Sequence, residues 1–323
     1  MKYLFLLFFP LLSFSQVNQE IFTMFYNVEN LFDTINNPNT EDEEFLPKGK
    51  KMWNTQKYNT KLEKLSRVFS EINNSILPNI IGLAEIENHE VIKDLLNEPF
   101  FKGHNYTIIH KESPDKRGID CALLFDENFS LLESDWLTIK IPGATRPTRD
   151  IVYTKLKMRD NIIHVFVNHW PSRYGGKEKS KHKRVFTAKT LENYIKKNIS
   201  NDDYIIIMGD FNDTPYDESV QDILVNNSFV NLMDSNYFQS VSYKNFSETP
   251  GSYNYKGEWS FIDHIIVSKN LNEEITQCDV FIKDWLLTTY EKGEKYPHRS
   301  YKWGKWDAGP SDHLPIYCRF KLK

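Results

Sequence analysis

The chain has 323 residues, 40% of them hydrophobic, with 40 Lys and Arg against 44 Asp and Glu and a formal net charge of −4. That is enough apolar material for one large α/β domain or two smaller ones, and the slight acidity argues against a protein that coats nucleic acid through overall basicity. No repeat, low-complexity tract or Pro/Gly/Ser-rich linker marks a boundary, which favours one domain.

The chain opens with MKYLFLLFFPLLSFSQ, a single Lys followed by an apolar run too short to span a bilayer and then small residues around Phe14. Residues 1–15 are expected to be a secretory signal peptide and 16–323 a single domain, secreted or periplasmic, with no membrane span after cleavage. The absence of a Cys near the cut argues against a lipid-anchored form.

Strand-length apolar runs then recur at 21–27, 80–85, 105–110, 119–125, 151–157, 162–168, 204–209, 262–268 and 314–320. Leu62, Leu65, Val68, Phe69, Ile72 and Ile76 fall at helical spacing within 56–76, and Val185, Ala188, Leu191 and Ile195 mark a second helix over 180–198. The acidic stretch at 41–44 reads as a solvated loop. Segment 285–310, rich in Trp, Tyr, Lys and Gly, has neither period and reads as a long surface loop. Cys121 and Cys318 lie inside apolar runs, which favours free buried thiols over a disulfide framework, although an exported location would permit one bridge.

One event repeats along these strands. Apolar runs end at Asn27, at Glu85, at Asn168-His169 and at Asp210 with Asn212, while Asp263 opens one strand and Asp312-His313 precede the last. Each alone reads as a turn or cap residue. If the ends converge, they form a pocket of carboxylates that needs a cation, and oxygen ligands without a Cys cluster favour a hard ion. Mg²⁺ is expected, with Mn²⁺ or Ca²⁺ as alternatives. A hard ion among carboxylates, amides and imidazoles in an open cleft suits hydrolysis of a phosphate ester.

In order and spacing, Asn27, Glu85, NHW at 168–170, GDFND at 209–213, IDHI at 262–265 and SDHLP at 311–315 resemble the endonuclease/exonuclease/phosphatase superfamily, which includes deoxyribonuclease I and exonuclease III. The resemblance covers nearly the whole mature chain. It implies an α+β fold, a four-layer α/β sandwich in which two central mixed β-sheets pack face to face with helices outside, with the site at one rim. It also implies Glu85 as principal metal ligand supported by Asn27 and Asp312, Asp210 as the group that activates water, and Asn212 as its amide support or a phosphate contact. His313, oriented by Asp263, would contact the scissile phosphate, and His169 would contact phosphate or assist the leaving group.

Arg117 precedes a strand and reads equally as a solvated turn residue or a phosphate contact. Arg173, Lys177, Lys179, Lys181, Lys183 and Arg184 follow His169 closely; a charge run is usually a solvated helix end, but this position suits a polyanion backbone. Trp259, Tyr301, Trp303 and Trp306 either pack a loop or stack on a substrate. The expectation is a monomeric metal-dependent nuclease. Alternatives are a phosphatase, a phospholipid or sphingomyelin phosphodiesterase, or a non-catalytic binding module. The segment before Asp263 lacks the inositol-phosphatase pattern, and no long apolar hairpin suggests membrane insertion.

Overall fold

The run Ile205-Ile206-Ile207-Met208 does not alternate with polar residues because its strand is covered on both faces. Ile206 and Met208 belong to an apolar cluster shared by two sheets, whereas Ile205 and Ile207 belong to a second cluster beneath a helix. Successive side chains of a strand point to opposite faces, so both faces must be apolar. The computed structural model describes residues 19–73, 76–225, 229–233, 251–289 and 293–322. The expected signal peptide lies outside the described residues.

One sheet runs in the order β13 (Ile275–Val280), β18 (Ile316–Leu322), β1 (Gln19–Leu31), β2 (Ile80–Ile86), β4 (Asp120–Asp126) and β3 (Tyr106–His110). The other runs β5 (Ser130–Leu137), β6 (Ile151–Met158), β7 (Asn161–His169), β8 (Tyr204–Asp210), β12 (Asp263–Ser268) and β9 (Phe229–Asn231). Each sheet holds one parallel pair, β1 with β2 and β7 with β8, and its other pairs are antiparallel. Parallel neighbours need a crossover connection. The helix α1 (Thr55–Glu71) provides it for the first pair and α3 (Lys177–Asn198) for the second.

Met24, Leu83 and Leu123 of the first sheet share a cluster with Val165, Ile206 and Met208 of the second, while Ala188, Leu191 and Ile195 of α3 cover the outer face of the latter. This is the four-layer α/β sandwich that the sequence led us to expect. The sheets approach closely at Gly82, where a Cβ would meet the Met208 sulfur at 2.6 Å. Smaller elements are α2 (His89–Leu96), α4 (Lys269–Asn272) and the hairpins β10 (Tyr253–Tyr255) with β11 (Glu258–Ser260), β14 (Leu287–Thr289) with β15 (Lys295–Pro297), and β16 (Tyr301–Lys302) with β17 (Lys305–Trp306).

The expectations for three segments need correction. Segment 285–310 is not a plain surface loop: it folds into the last two of those hairpins, with Ser300 and Tyr301 buried and Tyr301, Trp306 and Trp53 packed ring against ring. Its strands are two or three residues long, too short to show a period. Within the acidic stretch 41–44, Asp42 is buried and accepts from the Asn37 backbone N–H at 2.8 Å. Finally, Cys278 and Cys318 are not free thiols but a disulfide between facing positions of β13 and β18, while Cys121 is free and buried.

A bridge across a sequence separation of 40 restricts the unfolded chain, which by loop-closure entropy stabilises the fold by about 4 kcal/mol. The double variant Cys278→Ala/Cys318→Ala should therefore lose about that much unfolding free energy in a denaturant titration. Reducing agent should lower the midpoint of the parent protein and leave that of the double variant in place.

Candidate active site

The carboxyl ends of β1, β2, β7 and β8 reach one rim of the sandwich, where the antiparallel β12 begins and the loop into β18 arrives. Register puts Asp210 opposite both His169 and Asp263. Gly209 lets β8 lie this close to β7, because a Cβ there would collide with the backbone carbonyl of Asn168. The side chains open into a cleft of about 660 Å³ whose walls include Glu85, His169, Asp210, Asn212, Asp312 and His313.

Asp210 lies at the centre. Its carboxylate accepts from Asn27 Nδ2 at 3.1 Å and from the Asn212 backbone N–H at 2.9 Å. Two imidazole nitrogens approach it, His169 Nε2 at 3.6 Å and His313 Nε2 at 3.8 Å. Burial raises its pKa to about 7, with neighbouring acids adding to the rise and His313 opposing it. A carboxyl balanced near neutrality can take up and release a proton.

The two histidines differ in charge. His313 Nδ1 meets Asp263 Oδ2 at 2.8 Å, and the same oxygen accepts from Ser252 Oγ at 2.5 Å. Burial alone would strip the ring of its proton, but Asp263, Asp210 and Asp312 outweigh it and raise the pKa of His313 to about 10. His169 is driven the other way, well below the ordinary value, by burial and by the charges of Arg149, Arg117 and His313. The site thus pairs a cationic imidazole with a neutral one.

Glu85 reaches the cleft through an irregular backbone. It has φ 65°, and the register of β2 shifts between Ala84 and Ile86 on both sides. A bulge of this kind re-aims a side chain, and a left-handed non-glycine residue costs about 1–3 kcal/mol that the surrounding structure must offset. Glu85 Oε2 accepts from the Asn30 backbone N–H at 2.8 Å, and Oε1 lies 4.0 Å from His169 Nε2.

Asn27 does not line the cleft. Besides donating to Asp210, it accepts from the Glu29 backbone N–H at 3.0 Å through Oδ1, so its first role here is to hold Asp210 and its own strand end. Asp312 does line the cleft, with Oδ2 held by Arg299 Nη2 at 2.7 Å. The Asn212 amide turns back to the Trp170 carbonyl at 3.1 Å, which leaves its backbone N–H as the support for Asp210.

Among the described residues, one group meets a simple distance criterion for a metal site: Asp210, Asp263 and His313 offer ligand atoms within 4.8 Å of one another. By distance they could hold an ion. The Asp263–His313 hydrogen bond and the raised pKa of His313 mark this group instead as a proton held among carboxylates, since a protonated imidazole has no lone pair to donate. Glu85 and Asp312, both on the cleft wall, offer carboxylate oxygens of the kind that fit a hard divalent cation.

The basic run is largely engaged by acids. Arg173 donates to the Asn212 carbonyl at 2.6 Å and pairs with Asp217 at 3.1 Å; Lys177 pairs with Asp217 at 2.6 Å, and the buried Arg184 with Asp213 at 2.6 Å. Lys181 pairs with Glu218 at 2.9 Å and does not line the cleft, against the expectation that it contacts substrate. Those acids sit on the loop after β8, which the fold lays against the first turns of α3. Arg117 lines the cleft, 3.5 Å from Asp115, whereas Lys183 lines an adjoining cavity.

Three residues escaped the reading of the sequence. Lys61 is buried and donates to Ser300 Oγ at 2.7 Å and to the Pro310 carbonyl at 3.0 Å. Glu29 accepts from the Ser300 backbone N–H at 2.6 Å, and its pKa is raised to about 7 by burial and by Asp312, against the pull of Lys61 and Arg299. Arg299 ties the group to Asp312. A signal existed for Lys61, which precedes Leu65, Val68 and Ile72 at helical spacing and so falls on the covered face of α1.

Comparison with known proteins gives a consistent family. A profile of the Endonuclease/Exonuclease/phosphatase family matches residues 22–322. Sphingomyelinase C of Bacillus cereus is 27% identical over 195 residues, 54% of this chain and 53% of that protein, so the match spans about half of its length. Among solved structures, humanized D. rerio TDP2 superposes with TM-score 0.61 at 12% identity over 94% of this chain and 99% of that one. An endonuclease/exonuclease/phosphatase family protein from Bacteroides thetaiotaomicron gives 0.58 at 14% identity over 94% and 99%. The human Nocturnin catalytic domain gives 0.54 at 18% identity over 94% and 95%. At these identities the structures speak to the fold alone.

The His313 proton is linked to stability. Its pKa of about 10 exceeds the unfolded value of about 6.5, so its stabilising contribution is complete below pH 6.5 and is lost as pH rises through 10. Asp263→Asn should bring the ring titration, read by NMR of the His313 ring carbons, down to about 6.5 or lower, and should remove that part of the alkaline stability loss. A titration still near that of the parent protein would show that Asp263 is not the residue that holds the proton.

Proposed function

The chain belongs to the endonuclease/exonuclease/phosphatase family, whose members are hydrolytic phosphoesterases, and we propose that it is an exported, divalent-metal-dependent phosphodiesterase that cleaves polynucleotide. The observation that carries this reading is the placement of Asp210 in an open cleft, with His169 Nε2 at 3.6 Å, His313 Nε2 at 3.8 Å and Glu85 and Asp312 on the same wall. In this proposal Asp210, oriented by Asn27 and the Asn212 N–H, accepts the proton of the attacking water. The His313 imidazolium, fixed by Asp263, faces the negative charge that grows on the phosphate oxygens. His169 offers a neutral Nε2 beside Asp210. A hard cation at Glu85 and Asp312 would neutralise a non-bridging oxygen.

The preference for nucleic acid rests on the cleft rim, where Arg117 stands with the exposed rings of Tyr174 and Tyr255. Every base has a face that such rings can stack on. One solved structure of the same fold, D. rerio TDP2, is described as complexed with single strand DNA product; it superposes with TM-score 0.60 at 13% identity. The Cys278–Cys318 bridge supports an exported protein, since disulfides persist in oxidising compartments. A second reading is hydrolysis of a sphingomyelin-type phospholipid, favoured by the sphingomyelinase relative and by Trp303, 84% exposed at the turn of the β16–β17 hairpin. That hairpin is short and flanked by Lys302 and Lys305, so the polynucleotide reading stands first.

Incubation with supercoiled plasmid, linear DNA, RNA, sphingomyelin vesicles and an inositol phosphate, each with Mg²⁺ or with chelator, separates the readings. Cleavage of polynucleotide with Mg²⁺ and none in excess chelator is expected. Hydrolysis of sphingomyelin alone would replace the first reading with the second.

Glu85→Gln should abolish most metal-supported turnover while near-UV circular dichroism stays that of the parent protein. His313→Ala should cost about 3–4 kcal/mol in the transition state, on the order of a hundredfold to a thousandfold in kcat. Asp263→Asn should lower kcat and shift the alkaline limb of the pH profile downward. The double variant should be little worse than His313→Ala alone, because the pair acts as a unit; losses that multiply would show that the two act separately.

A further inference from the structure

Beside the catalytic cleft lies a second cavity of about 360 Å³ that shares Arg117, Ser172 and Tyr174 with it. Its lining includes five basic side chains, Lys116, Arg117, Arg146, Arg149 and Lys183, and one carboxylate, Asp115. Arg146 is paired with Glu41, and Arg149 binds Asp115 at 3.1 Å and the Trp170 carbonyl at 2.6 Å. A positive excess remains at the cavity. Two polar groups in its wall also lack an answer: Thr148 Oγ1 and Arg149 Nε are buried without a hydrogen-bond partner, on residues that are each 6% exposed. A buried donor left unpaired costs about 1–3 kcal/mol, so two such groups in one wall, beside excess positive charge, favour an acceptor at this cavity.

Tyr174 stands on the ridge between the two cavities. It is 94% exposed, an extreme for a large ring, and it is followed by Gly175 and Gly176 at φ 82° and 116°, where an added Cβ would meet nothing. Packing therefore does not account for the ring, and the glycines leave the space around it open. An exposed ring beside a cationic pocket matches the two parts of a nucleotide, a flat base and a phosphate.

We propose that this cavity is a second phosphate subsite, which binds the phosphate next to the scissile one through Lys116, Lys183 and the Thr148 hydroxyl while Tyr174 stacks on the intervening base. The inference rests on the polynucleotide reading above and adds to it a place for the neighbouring nucleotide. Lys183 thereby gains a role different from that of Lys181, although both belong to the same basic run.

Three substrates test it: bis(4-nitrophenyl) phosphate, a dinucleoside monophosphate, and that dinucleotide with one further phosphate at its 5′ or its 3′ end. The parent protein should prefer one of the two terminally phosphorylated dinucleotides over the plain one by about tenfold in kcat/KM, the scale of one charge-assisted hydrogen bond. Thr148→Val and Lys116→Gln should each erase most of that preference and leave the rate on bis(4-nitrophenyl) phosphate as in the parent. Tyr174→Ala should raise KM for both dinucleotides. No preference for a terminal phosphate in the parent, or a preference that survives in both variants, overturns the subsite. Turnover of the small diester with none of any dinucleotide or longer strand overturns the polynucleotide reading, and the subsite with it.

Discussion

Carboxylates buried beside one another repel unless something positive or protonated stands among them, and the rim of this sandwich gathers Asp210, Asp263, Asp312, Glu85 and Glu29. The protein answers that repulsion in two places. On one side the His313 proton lies among Asp263, Asp210 and Asp312. On the other, Arg299 and the buried Lys61 face Asp312 and Glu29. Much of the surrounding structure follows from these answers. The hairpins of segment 285–310 are drawn in because Ser300 serves both Glu29 and Lys61, and Ser311 fixes the approach of His313 by donating to the Asn27 carbonyl at 2.6 Å. Removing a partner from such a group leaves a buried charge uncompensated, so local chemistry and local stability are held by the same contacts.

The division of labour between the imidazoles shows how environment, rather than residue type, assigns roles. Both rings lie near one oxygen of Asp210, yet carboxylates surround His313 whereas guanidinium groups act on His169. Two identical side chains therefore present opposite charge states to the same cleft at neutral pH.

Much of the sandwich was legible because its signals are local. The apolar run through Ile205 to Met208 announced a strand, and the stripe of α1 announced a helix. The polar residues at strand ends gave the candidate site because each strand breaks at the rim where its neighbours also break. What stayed hidden was non-local. Nothing near Lys181 in the sequence shows that Glu218 will neutralise it, and nothing near Cys278 shows that β18 will lie beside it. The bulge at Glu85 was equally invisible, since an apolar run with one acid near its end reads the same whether its backbone is regular or left-handed. Segment 285–310 failed for a related reason: strands of two or three residues have no period, and their pairing depends on Trp53 and Lys61 from far upstream.

The bond between Cys278 and Cys318 has a topological effect apart from its entropy. Together with the chain from 278 to 318 it closes a covalent ring, and Arg299, Asp312 and His313 all lie inside that ring. A protease that cuts once anywhere between these cysteines, for instance at the exposed Trp303 turn, opens the ring without releasing a fragment. Both new ends stay fastened to β13 and β18. A chain built in this way can be nicked in the β16–β17 hairpin and still keep His313 attached to the sheet that positions it.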